Sequence, residues 1–201
     1  MSLPDFFDSV PAITVNDPLA EFLGAASDGS IEYHYADAVR LAGHSCPTVA
    51  GAYLTTRAAL ARLYPQGLPR RGEVRVELRQ QAHEGVAGVI AGVAGLITGA
   101  AGEGGFKGLG GRFARNDLLR FGVPMTGDIR FTRIDSGESA EFVHHADAVS
   151  RPPALRGLMQ EAMAPDAPAP ARRAFAESWQ GWVRSILLDH ADDPALIEQV
   201  A

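Results

Sequence analysis

From Gly85 to Gly102 the chain runs for 18 residues without a charge, and small residues dominate the run. A span of that length sits at the lower limit for crossing a membrane. Its glycine and alanine content, and the absence of flanking bases and of an aromatic belt, predict a buried helix of a globular domain instead. Two stripes follow the helical period. Val86, Val89, Ile90, Val93, Leu96 and Ile97 make the large one, and Gly85, Gly88, Gly92, Gly95 and Gly99 the small one. Glycine costs a helix ~1 kcal/mol per position, so this stripe costs several kcal/mol and needs a packing or functional reason. A smooth face lets another backbone approach closely, and it is one basis for expecting a homodimer.

The segments around this helix predict an α+β fold. Residues 73–79 alternate without a fault, which predicts a half-buried strand with Val74, Val76 and Leu78 facing a core. Residues 128–134 and 139–147 read as two more strands around Asp135-Ser136-Gly137, a hairpin signal. Helices are expected over 35–42, 47–64, 154–163 and 171–190, with a loop at 102–111 and an irregular or partly helical, proline-bearing lead-in over 1–30. The architecture expected is an antiparallel sheet with helices packed on it, plus C-terminal helices. The Pro/Ala stretch 164–170 suggests a division into a domain over 1–163 and a helical extension over 164–201.

At 201 residues the chain is long enough for a sizeable core. A net charge of −6 argues against nucleic acid or an anionic membrane as a general partner. The acids near the N-terminus stand where a secretory signal needs bases, so a cytoplasmic protein is expected. A single cysteine leaves no internal disulfide and no closed Cys-rich zinc ribbon.

That cysteine lies in Gly43-His44-Ser45-Cys46-Pro47. An imidazole and a sulfur two residues apart are the ligand types that zinc favours. Pro47 suits the first position of a helix, which places Cys46 at the N-cap, where the helix dipole favours negative charge. His83, just past the strand at 73–79, can be aimed into a cleft at the sheet end. His44, Cys46 and His83 then form a three-ligand site with one open position, the pattern of a catalytic or substrate-binding zinc. Glu84 is a candidate fourth ligand, a partner that orients a ligand, or a general base, and otherwise an acid at a helix start.

The remaining candidates are weaker. His144 and His145 fall on a predicted strand, so their rings point to opposite faces and at most one can join a site; a surface pair is the simpler reading. His34 and His190 read as surface residues. The glycine loop lacks the Gly-Lys-Ser/Thr core of a phosphate-binding loop, and no strand immediately precedes it. Lys107, the only lysine, sits at its centre and is a candidate to meet a carboxylate or phosphate.

The stretch Tyr35-Ala-Asp-Ala-Val-Arg-Leu-Ala-Gly-His44-Ser-Cys46-Pro47 resembles the opening motif of the metal-binding E-component family of formylmethanofuran dehydrogenase. In that family a short helix leads into His-Gly-His-x-Cys-Pro-Gly. Residues 85–111, with Thr98-Gly99 and the loop around Lys107, resemble the family's later small-residue helix and glycine/lysine loop. Ala42 and Thr48 replace a motif His and Gly, and the C-terminal zinc ribbon of many relatives is absent. The resemblance implies an α+β domain, a bound transition metal, usually zinc, near His44 and Cys46, and dimerisation.

Together these readings lead to a soluble metal-binding protein that binds or transforms a small one-carbon or pterin-type ligand. Two alternatives stay open: a metal-free thiol enzyme with Cys46 as nucleophile and His44 or His83 as base, and a non-catalytic accessory protein. Cys46, Glu84 and Lys107 are the candidate catalytic residues, and whether the protein is an enzyme is left open.

Overall fold

The structure, a computed structural model that describes residues 3–201, opens with a 3-10 turn at Asp5–Ser9, followed by a hairpin that no local signal announces. Strands β1 (Ile13–Asn16) and β2 (Ser30–Tyr33) pair antiparallel, from Ile13 opposite Tyr33 to Asn16 opposite Ser30. A one-turn helix, α1 (Pro18–Phe22), lies between them. The lead-in over 1–30 is thus partly helical, as expected, and holds a hairpin that was not, with Met1 and Ser2 outside the described residues. Asp17 explains the turn. Its carboxylate accepts from the amides of Leu19 and Ala20 at 3.0 and 3.1 Å, capping α1.

The helices and strands of the centre follow the sequence periods. Helix α2 (Tyr35–Ala42) ends at Gly43, whose φ of +76° is the left-handed C-cap that glycine adopts freely. Helix α3 (Pro47–Leu63) is buried on most sides, with Val49, Tyr53, Leu54, Leu60 and Leu63 almost fully covered. Strand β3 (Val74–Leu78) and helix α4 (Ala87–Thr98) occupy the alternating and small-residue segments. Strands β4 (Leu119–Arg120), β5 (Ile129–Arg133) and β6 (Ser139–His144) follow, with β5 and β6 hinged at the expected turn. Helix α5 (Leu155–Ala162) precedes α6 (Ala169–Arg184), which runs on into a π-helical turn, Ser185–Asp189. Strand β7 (Ile197–Gln199) ends the order.

The main sheet has the order β4-β3-β5-β6-β7. The α+β class holds, but the sheet is mixed and not purely antiparallel, because β4 runs parallel to β3. Val74, Val76, Leu78, Ile129, Phe131, Ala140 and Phe142 turn one face of it into the core beneath α3 and α4. On the opposite face Arg130 bridges Glu77 and Glu141 at 3.0 Å each. Glu141 also accepts from the amides of Thr126 and Gly127, so its partly buried charge is fully engaged.

The segment 164–201, expected as an appended extension, is built into this core. Val183, Ile186, Leu187 and Leu196 are buried in the same cluster as the sheet residues, and β7 pairs with β6. A three-residue strand of mixed composition carries no period to find, which is why it escapes sequence reading. The glycine stripe also resolves. A Cβ on Gly95 would stand 2.8 Å from the Ala100 carbonyl oxygen, so the chain folds back onto its own helix there. Gly88 and Gly92 instead open onto a shallow groove beside Leu41 and Val89. No helix among the described residues is long and apolar enough to cross a membrane.

Candidate functional site

The loop that carries Cys46 is held at Ser45. Tyr35 Oη and Ser45 Oγ are 3.0 Å apart, and the Ser45 carbonyl accepts from Trp179 Nε1 at 2.9 Å and Gln180 Nε2 at 3.3 Å. Helix α6 thus locks the chain just before α3. Cys46 is the N-cap of α3, half-buried, with extended backbone and no side-chain capping bond. The residue lines a cleft.

The cleft has two lobes. The outer one, about 690 Å³, is lined by Cys46, Thr48, Asp147, Arg151, Trp179 and Trp182 among others. Trp182 Nε1 donates to the Val149 carbonyl at 3.1 Å, and Trp179 Nε1 is committed to Ser45. Both indoles therefore offer the cleft only apolar surface. The two rings meet edge to face at 5.8 Å, and the Arg151 guanidinium lies 5.3 Å from the Trp182 ring centre. The inner lobe, about 210 Å³, is walled by Leu78, Ile90 and Ile129 and carries Thr55, Asp128 and His144. Thr48 and Ala146 line both lobes, so the two adjoin at that point.

The expected metal ligands are not gathered as one group among the described residues. His44 is exposed, its Nδ1 3.0 Å from the Ala42 carbonyl. His83 and Glu84 are exposed in the turn after β3, where the Glu84 carboxylate accepts from the Gln81 amide at 2.8 Å and so caps its own turn. Lys107 is exposed on the glycine loop and lines neither lobe. Among the described residues no three His, Cys, Asp or Glu side chains gather as a metal-holding group. As folded, His44, Cys46 and His83 do not make the three-ligand set that an open zinc site needs.

The structure puts a different histidine at the cleft. His145 pairs with Glu198 at 2.8 Å on the outer surface, as a surface residue should. His144 lines the inner lobe instead, its Nε2 buried toward Gly51 of α3 and without a hydrogen-bond partner. Burial pushes its imidazole below the ordinary value, opposed by the nearby Asp128 carboxylate and aided by His145. Strand parity was the signal available: His144 shares the inward parity of Ala140 and Phe142, and His145 does not. Its ring lies flush on Gly51 of α3, where an added Cβ would fall inside the ring's contact shell. Gly51→Ala is therefore expected to displace His144, although alanine is the better helix former. A destabilisation of ~1–3 kcal/mol, measured by urea unfolding, together with a shifted His144 imidazole resonance, is the expected result. An unchanged ring with raised stability would contradict this packing.

Compared with known proteins, the chain matches no family model, and no curated protein matches it. The likeness to the formylmethanofuran dehydrogenase family rests on the residues around His44, Cys46 and Lys107 alone.

Proposed function

We propose that the protein binds a small planar molecule in the two-lobed cleft at the head of α3. One observation carries this reading. Both tryptophans of the chain, with their N–H groups already used, wall the cleft that holds its only cysteine. Aromatic walls with a few converging polar groups are the usual make-up of a small-molecule site. A ring stacks between the indoles and Pro47, with Thr48 and Arg151 free to meet its polar edge. Thiol chemistry at Cys46 is a second reading, favoured by its uncapped position on the same cleft.

Tryptophan emission reports on this cleft alone, since the chain has no other tryptophan. In a screen of aromatic and heterocyclic fragments, some compounds are expected to change that emission and to slow alkylation of Cys46 by iodoacetamide. Both effects should disappear in Thr48→Phe, which fills the space between the lobes without adding a tryptophan. If no fragment acts at millimolar concentration, or if binding persists in Thr48→Phe, the cleft is not a ligand site.

A further inference from the structure

Arginines elsewhere in the chain are mostly paired with carboxylates, as Arg71, Arg115, Arg130 and Arg133 are. Arg151 is an exception. Its guanidinium lies over the Trp182 ring on the wall of the outer lobe. Among the described residues it has neither an ion pair nor a hydrogen bond, although Asp147 lines the same lobe. The segment that carries it is fixed on both sides. Before it, the Val149 carbonyl accepts from Trp182 Nε1 at 3.1 Å. After it, Pro152 and Pro153 fix their own φ and restrict the residue that precedes them, and the Pro152 carbonyl accepts from the Leu155 amide at 3.0 Å. A guanidinium on a stiff mount, held against an indole, keeps its N–H donors for a partner that the chain itself does not supply.

We infer that the planar ligand of the outer lobe is a monoanion, an aromatic carboxylate in the simplest case, whose carboxylate pairs with Arg151 while its ring lies against the indoles. The inference rests on the ligand-binding reading of the cleft and names the charge of the ligand. A guanidinium meets a carboxylate through two parallel N–H bonds, and that geometry suits a flat acid. Charge selects the class. Arg151 and Asp147 are the charged residues of the outer lobe, one of each sign. Arg151 matches one negative charge. A second, as on a phosphate monoester, meets Asp147 with nothing to offset it. A cation finds Arg151 already on the indole that would otherwise attract it.

Benzoate, benzamide, benzamidinium and phenyl phosphate share a ring and differ in charge. Each is titrated into the full chain and followed by tryptophan emission and by protection of Cys46 from iodoacetamide. Benzoate is expected to bind about tenfold more tightly than benzamide, since its pair with Arg151 is charge-assisted but open to water. Sodium chloride at about 1 M should remove most of that advantage. Arg151→Gln should bring benzoate down to the affinity of benzamide and leave benzamide unchanged. Arg151 is exposed, so this variant should fold, which its melting temperature checks. Asp147→Asn, which removes a like charge, should tighten benzoate about twofold. Equal binding of benzoate and benzamide, or an unchanged benzoate affinity in Arg151→Gln, overturns the proposal. So does tighter binding of phenyl phosphate or benzamidinium than of benzoate. In each of these cases a ligand still binds, and the cleft reading stands. Silence from all four compounds overturns the proposal as well; the cleft reading itself falls only if the wider fragment screen is silent too.

Discussion

Asp17→Ala is expected to lower stability by about 3 kcal/mol, near the low end of the ~3–5 kcal/mol that follows loss of one partner from a buried ion pair. Asp17 is 2% exposed. One of its oxygens lies 2.9 Å from Arg71 Nη1, and Arg115 Nη2 reaches both oxygens at 2.6 and 2.7 Å. The carboxylate therefore ties the N-terminal hairpin to the approach to β3 and to the far end of the glycine loop. Its loss leaves two guanidinium groups facing one another and uncaps α1. The arginine side chains are 14% and 16% exposed, so water relieves part of the cost, which selects the lower figure. For a chain of this size the melting temperature should fall by roughly 6–12 °C. A drop under about 1 kcal/mol in urea unfolding would mean that the cluster does not clamp these segments.

The same residue has a pH signature. Burial raises the Asp17 carboxyl, but the Ala20 amide, Arg71 and Arg115 outweigh it, so the net value lies below the ordinary one. A carboxyl depressed in the folded state adds stability that is complete above its unfolded value of ~3.9 and is lost as pH falls through the folded value. The stability gap between the wild type and Asp17→Asn should therefore narrow as pH is lowered from about 5 toward 2. A gap that stays constant over that range would contradict the ion-pair account.

Trp182→Ala is expected to cost about 3–5 kcal/mol and to abolish fragment binding in the outer lobe. Trp182 is 7% exposed, supports Trp179 edge to face, and anchors the Val149 carbonyl through Nε1. Truncation removes a wall of the cleft and leaves that carbonyl unpaired. Trp182→Phe separates the two effects. It keeps an aromatic wall, should retain fragment binding, and should cost only about 1–3 kcal/mol for the lost hydrogen bond. Calorimetry gives the stability change, and Cys46 protection by a bound fragment reads the site. Fragment binding that survives in Trp182→Ala would place the ligand elsewhere.

Much of the scaffold is legible from local pattern. The alternation at 73–79, the turn at Asp135-Ser136-Gly137 and the Gly43/Pro47 punctuation around Cys46 each state a backbone preference that needs no distant partner. Elements of three or four residues do not. The first hairpin depends on Asp17 meeting Arg71 and Arg115, which are 54 and 98 residues away. Strand β7 exists because β6 offers an edge, and β4 because β3 offers the other.

The candidate site divides along the same line. The identity of its one thiol, the start of α3 behind it and the opposite facing of His144 and His145 follow from the residues themselves, because they depend on φ preferences and on a strand's period of two. Which imidazole would stand at the cleft depended on how α3 lies across the sheet, with the Gly51 backbone bare enough to seat the ring of His144. Only that packing left His44 and His83 in solvent. It also brought two tryptophans from the end of the chain over the cysteine, since contacts between distant segments are decided by the burial of shared surface and not by local backbone preference.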